Sequence, residues 1–282
     1  MMKAYGKGSK TVILIGGGPS LSNYMSTLGT TLASTSRIVE YSQKGTPENP
    51  ATRKDELSLN SHLADLKEIV VLQRGKPVVL LGHSWGASLA LLFIANHPGM
   101  IERTILIGSA PLSDPINEKF GENIQSRLSE SATAKLKLIK SSVEKAKTDS
   151  EINALMQQRL RIIGPAYHLD PTTEEHFSQL RWNYTSFITS IDSLWDFIDA
   201  GHVPKALARI SDPVVAFHGD HDPIPLQETF TFLDAHLGDL KTVEVKKSGH
   251  FPWLEKTSNV EFLKKLVDEV AGNPIDHTKS SP

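Results

Sequence analysis

Val78-Val79-Leu80-Leu81-Gly82-His83-Ser84-Trp85-Gly86-Ala87-Ser88-Leu89-Ala90-Leu91-Leu92-Phe93-Ile94-Ala95 is the stretch that decides how this chain folds. It opens as a short apolar run, breaks at a Gly-x-Ser-x-Gly pentapeptide, and resumes as a helical pattern with small residues early and bulky ones later. The first part reads as a buried strand and the last as a helix packed closely on a sheet. Glycine and serine are common, so the pentapeptide alone says little. Its setting says more: a sharp turn from strand to helix lifts the Ser84 hydroxyl clear of the sheet. That turn strains the serine backbone, and side chains at positions 82 and 86 would strike the neighbouring strand and helix. The next amide, from Trp85, is then aimed where an oxyanion would form, with the positive end of the helix behind it. The competing reading is a glycine-flanked turn with an idle serine.

Working outward, apolar runs alternate with longer helical patterns, the signature of an α/β fold with a mostly parallel sheet covered by helices. Candidate strands are Thr11–Ile15, Arg37–Tyr41, Pro77–Leu81, Arg103–Ile107, Pro213–His218 and Thr242–Lys246. Helical patterns fall at Leu57–Gln73, Ala87–His97, Leu226–Leu237 and Val260–Val270. The rhythm stops between Pro111 and Gly201, where helix formers dominate over Lys119–Lys147, Glu151–Arg161 and Glu174–Ser190. Residues 111–201 therefore read as a helical cap inserted into a core made of residues 1–110 and 202–282. Aromatics gather in the insertion at Phe177, Trp182, Tyr184, Phe187, Trp195 and Phe197. Trp182 is a candidate substrate contact; the plainer alternative is that these rings fill the insertion's own core.

The 282 residues include 39% hydrophobic and 22% charged side chains, enough for a sizeable packed core. A net charge of −2 leaves no basic footprint for nucleic acid or an anionic membrane, so a small molecule or short peptide is the expected partner. Without cysteine, the chain has no disulfide, thiolate metal site or cysteine nucleophile. Thr11–Ile15 is too short for a signal peptide's apolar region or a membrane span, so a cytoplasmic location is expected.

An activated serine needs a base, and a base needs an orienting acid. Of eleven histidines, His250 in Ser248-Gly249-His250-Phe251-Pro252 follows the last candidate strand and precedes the last helix. It is the expected base; the alternative is a loop histidine capping that helix. After the Pro213–His218 strand comes Gly219-Asp220-His221-Asp222-Pro223, which offers two acids. Asp222 is favoured because it precedes a proline-bounded loop that can turn back toward His250. Asp220 is the alternative, better placed to hold the turn itself. The His218, Asp220, His221, Asp222 cluster matches no helical zinc spacing, so no metal is expected.

Gly16-Gly17-Gly18-Pro19-Ser20 follows the first candidate strand. Consecutive glycines let backbone approach a substrate, which makes Gly18 the candidate second oxyanion donor and Gly17 a candidate substrate contact. Neither a dinucleotide fingerprint nor a phosphate-binding lysine motif accompanies the glycines, so no cofactor is expected.

These pieces together resemble the α/β-hydrolase superfamily, and within it the proline iminopeptidase-like branch. Members of that branch carry His-Gly-Gly-Pro-Gly at the oxyanion loop, Asp-Gln-Arg-Gly after the next strand, Gly-x-Ser-Trp-Gly at the elbow, and a helical cap. The counterparts here are Gly16-Gly17-Gly18-Pro19-Ser20, Ser42-Gln43-Lys44-Gly45 and the elbow with Trp85. Gly16, Ser20, Ser42 and Lys44 depart from the pattern, and only ten residues precede Thr11, too few for the two strands that usually come first. The resemblance implies an α/β-hydrolase fold and hydrolysis of an ester or amide through an acyl-serine. An aminopeptidase would need acids for the substrate amine, for which Glu174 and Glu175 are candidates; they read equally as first-turn acids of an ordinary helix. A small ester, a lactone or an activated carbon–carbon bond stays open as substrate, and so does a hydrolase fold retained as a binding protein without turnover.

Overall fold

The computed structural model describes residues 1–51, 53–73, 75–172 and 180–272. Its sheet has seven strands: β1 (Met2–Tyr5), β2 (Thr11–Ile15), β3 (Arg37–Tyr41), β4 (Val78–His83), β5 (Arg103–Ile107), β6 (Val214–Gly219) and β7 (Leu240–Val245). They lie in the order β1-β3-β2-β4-β5-β6-β7. Every pairing is parallel except β1 with β3. The six expected strands are present, three with the expected bounds and three with ends shifted by one or two residues. β1 is a correction: one strand does precede β2, though the sequence showed none. Met-Lys-Ala-Tyr is exposed over most of its length, so it carries no hydrophobic signal.

Ten helices are described: α1 (Ser26–Leu32), α2 (Leu59–Val71), α3 (Trp85–Asn96), α4 (Asp114–Ser126), α5 (Glu130–Val143), α6 (Asp149–Ile163), α7 (Tyr184–Asp199), α8 (His202–Leu207), α9 (Leu226–Asp234) and α10 (Asn259–Ala271). The single helix expected over Lys119–Lys147 is two, because the chain turns at Arg127–Ser129 and Ser129 caps α5 by accepting the Ala132 amide at 3.1 Å. The helix expected over Glu174–Ser190 begins, within the described residues, at Tyr184; Glu174 and Glu175 lie outside them.

Alternation along the strands feeds two cores. Ile13 and Ile15 face one side with Trp85, Leu91, Phe93 and Leu207, under α2, α3 and α8. Val12 and Leu14 face the other with Leu28, Phe217, Phe262 and Leu266, under α1 and α10. α3 is buried from Trp85 to Ala95, as a helix apolar all round must be. Because β2 to β7 run parallel, the loops that follow them all emerge at one carboxyl edge. That edge gathers Gly16–Ser20, Ser42–Gly45, Ser84, Asp220–Pro225 and Lys247–Phe251. Helices α4 to α8 lie in the connection from β5 to β6. Among the described residues no helix is long and apolar enough to cross a membrane.

Candidate active site

Ser84 joins β4 to α3 with φ 54° and ψ −120°, a left-handed-side backbone that a non-glycine residue adopts only under constraint. Its amide donates to the Ile107 carbonyl at 3.0 Å, which pins the turn to β5. The flanking glycines leave no room for a side chain. A Cβ on Gly82 would sit 2.3 Å from the Gly86 carbonyl oxygen, and one on Gly86 would sit 2.1 Å from that of Ile15. Both contacts are with backbone, so neither can yield.

Asp222 and His250 meet although 28 residues apart: His250 Nδ1 donates to Asp222 Oδ2 at 2.7 Å, and both are buried. With Nδ1 engaged, Nε2 is the ring nitrogen available to a second partner. Asp222 Oδ1 accepts the Ile224 amide at 2.8 Å. His218 donates its Nε2 proton to the Ile224 carbonyl at 2.9 Å and lies 3.5 Å from Asp222 Oδ2. Burial pushes the Asp222 carboxyl up, but His250, His218 and these hydrogen bonds outweigh it and hold the group below the usual carboxylate range. Asp220 is exposed and accepts the Ser248 amide at 3.1 Å, so the acid that meets His250 is Asp222.

A second buried network lies behind the elbow, joining residues too far apart in the chain for any motif to mark it. His83 Nε2 faces the His250 carbonyl at 2.9 Å, and a carbonyl can only accept, so Nε2 carries the proton. His83 Nδ1 therefore accepts from the Tyr24 hydroxyl at 2.6 Å, and the Tyr24 oxygen accepts the Gly17 amide at 2.6 Å. One chain of bonds thus links the glycine loop, the elbow and the His250 loop. It also places Gly17: its N–H is engaged by Tyr24. Tyr24→Phe removes the central hydroxyl and strips a partner from both the Gly17 amide and His83 Nδ1. The expected loss is about 2–3 kcal/mol of unfolding free energy, measured by urea denaturation.

Gln43 and Trp85, two of the residues that keep the branch pattern, are bonded to each other. The Trp85 indole donates to Gln43 Oε1 at 3.0 Å, and Gln43 Nε2 donates to the Gly16 carbonyl at 2.8 Å. Trp85 thereby fixes the glycine loop from beneath. The His62 ring packs edge-on to Trp85, centroids 5.6 Å apart, with Nε2 3.1 Å from Ser190 Oγ. Burial pushes the His62 imidazole down from 6.5 to about 4, partly countered by Asp65. In the unfolded chain the same group takes up a proton near 6.5, so the unfolded state binds more protons between those two values. Unfolding free energy is expected to fall by on the order of 3 kcal/mol as pH drops from about 6.5 to about 4, and this group contributes no change above that window. Denaturation at a series of pH values tests it; His62→Phe should flatten the slope by one proton.

Two backbone seams tie the insertion to the site's loops. Leu21 and Trp182 form an antiparallel bridge, flanked by Ser22 N–H to Arg181 O at 2.9 Å and Asn183 N–H to Ser20 O at 3.2 Å. At the other seam, buried Glu255 accepts the amides of Leu169, Asp170 and Gly249, and the Lys256 amide donates to the Asp170 carbonyl at 2.9 Å. Glu255, like Tyr24, was not singled out from the sequence; a lone Glu ahead of a helix looks like a surface acid.

Between insertion and sheet edge lies a cavity of about 560 Å³. Gly18, Ser84, Trp85 and His250 form its floor, and Trp182 stands among its walls with an indole N–H that is buried and unpartnered among the described residues. Among the described residues its lining includes no Asp or Glu. No cluster of three or more His, Asp or Glu side chains is placed to hold a metal, again among the described residues.

A family model for the alpha/beta hydrolase fold matches residues 10–257. No curated protein sequence matches the chain. Several solved structures are similar in fold. An esterase from Exiguobacterium antarcticum superposes with a TM-score of 0.66 at 17% identity, covering 96% of this chain and 94% of that one. A proline iminopeptidase from Mycobacterium smegmatis gives 0.66 at 16%, covering 96% and 94%. A monoacylglycerol lipase from Paleococcus ferrophilus gives 0.66 at 16%, covering 96% and 98%. The mostly parallel seven-stranded sheet, the strained elbow and a family match spanning most of the sequence lead to one conclusion: this chain belongs to the alpha/beta hydrolase fold family.

Proposed function

We propose that the chain is a serine hydrolase that cleaves small esters through an acyl-enzyme, with Ser84 as nucleophile, His250 as base and Asp222 as its orienting acid. The observation that carries this is the 2.7 Å bond from His250 Nδ1 to Asp222 at the same sheet edge as the strained Ser84, opening on one cavity. His250 Nε2 takes the Ser84 proton as the hydroxyl oxygen attacks the substrate carbonyl. The Trp85 and Gly18 amides receive the oxyanion, and His250 returns the proton to the leaving group. Water repeats the cycle on the acyl-serine. Asp222 fixes the ring tautomer and stabilises the imidazolium without taking the proton itself. Residues 111–201 act as the cap and residues 1–110 and 202–282 as the core.

The apolar side chains that dominate the described lining suit an ester; Glu174 and Glu175, the candidate partners for the ammonium group of an aminopeptidase substrate, lie outside the described residues, so an aminopeptidase is the second reading. A fluorophosphonate probe followed by a panel of acyl p-nitrophenyl esters and aminoacyl p-nitroanilides tests both statements. Labelling of Ser84 with turnover of the esters is expected. Turnover of prolyl or alanyl anilides would make the chain an aminopeptidase, and a folded protein that is never labelled would make it a binding protein.

A further inference from the structure

Helix α6 lines the cavity with Met156, Arg159, Leu160 and Ile163, the i, i+3, i+4, i+7 positions of one face. Three of these are buried apolar side chains; the fourth is an arginine. The neighbouring helices repeat the geometry with neutral residues: Asn117, Phe120, Gly121 and Ile124 from α4, and Tyr184, Phe187, Ile191 and Leu194 from α7. Arg159 is half-buried and has no ion-pair or hydrogen-bond partner among the described residues. By contrast Arg161, two residues on, is exposed and points off this face.

A guanidinium in an apolar wall loses hydration, and more of it once a ligand displaces the water, unless the ligand brings a counter-charge. Arg159 lines the same cavity as Ser84, Tyr167 and His250. Its charge is felt at Tyr167, whose hydroxyl is pushed up to about 12 by burial, partly countered by Arg159. The Tyr167 ring in turn packs on His250 with centroids 5.4 Å apart.

We infer that Arg159 is a specificity determinant: the substrate carries a carboxylate, which Arg159 binds while the ester or amide bond lies at Ser84. This rests on the serine-hydrolase reading for the bond cleaved, and on the cavity alone for the anion. The guanidinium offers a fork of donors matched to a carboxylate, and the surrounding apolar wall strengthens the pair by excluding water. A dicarboxylate monoester or monoamide carries both groups, and Arg159 and Ser84 line the same cavity. The same charge repels an ammonium group. The plainer account, an arginine whose stem packs on the wall while its head is merely solvated, predicts no preference among substrates of equal length.

Mono-p-nitrophenyl adipate and p-nitrophenyl hexanoate share a leaving group and a chain length and differ in the terminal carboxylate. The ratio of kcat/KM for the adipate over the hexanoate is expected to exceed one in the wild type at low salt. In Arg159→Met that ratio should fall about 10- to 100-fold, the worth of one charge-assisted pair, and Arg159→Lys should retain part of it. A ratio below one in the wild type, or a ratio unchanged in folded Arg159→Met, would overturn the inference and leave the hydrolase reading intact. Titration with adipate, followed by the fluorescence of the cavity tryptophans Trp85, Trp182 and Trp195, reads anion binding without turnover. Adipate should perturb the wild type and not Arg159→Met, while the diol 1,6-hexanediol should discriminate between neither. If neither ester is turned over and the probe fails to label, the hydrolase reading falls, and the fluorescence titration still decides the role of Arg159.

Discussion

Ser84→Ala is expected to lower kcat on any ester the wild type cleaves by about 10⁵- to 10⁶-fold, with KM little changed and fluorophosphonate labelling abolished. Loss of the hydroxyl removes the only atom in the proposed mechanism that becomes bonded to substrate, so no other group can substitute for it. The fold should survive, because the constraints on this turn come from backbone. The Ser84 amide still donates to Ile107 O, and Gly82 and Gly86 still allow the close crossing beneath it. A variant that melts like the wild type and keeps more than about a thousandth of its activity would place the nucleophile elsewhere.

Asp222→Asn should be nearly as damaging, lowering kcat by about 10⁴-fold while leaving the fold in place. The amide oxygen can keep the Ile224 bond, but the NH2 group then faces His250 Nδ1 and demands an acceptor there. The ring responds by moving its proton to Nε2, and a protonated Nε2 cannot accept from Ser84. Asp220→Asn is the control. That carboxylate is exposed and holds only the Ser248 amide, so its loss should change kcat by no more than a few-fold. Steady-state kinetics on both variants separates the two acids; equal losses would mean that the Asp222–His250 bond has no special part in turnover.

The sequence carried those features whose cause is local. β4, the elbow and α3 are legible because one continuous stretch sets the apolar run, the glycines and the helix together. β1 was illegible because an exposed edge strand buries little and takes its register from β3. α1, Ser-Thr-Leu-Gly-Thr-Thr-Leu, contains a glycine and three threonines and is helical through packing of Leu28 and Leu32, which propensity does not foresee. The same divide runs through the candidate site. Chain order and the loop after the last strand select His250, and the proline-bounded loop after Asp222 favours it over Asp220. Tyr24 reaches His83 across 59 positions, and Glu255 reaches the 169–170 backbone across more than eighty, so no window of sequence contains either relationship. Gln43 lies in the Ser42–Gly45 stretch, but its role comes from the fold, which sets its amide between Trp85 and Gly16.

The cavity of about 560 Å³ also bears on how the molecule melts. Its walls are the apolar faces of α4, α6 and α7, and its floor is the sheet edge, so it is in effect an unfilled part of the hydrophobic interior. The two backbone seams bind those walls to the floor, and loosening one should loosen the other. A ligand that fits completes the interior and is lost on unfolding, so it should raise the melting temperature of the whole chain in one cooperative step. At a hundred times its dissociation constant, the gain is about 2.7 kcal/mol. A thermal-shift screen of carboxylate-bearing compounds against the Ser84→Ala protein would then report substrates by stability, before any reaction is assayed.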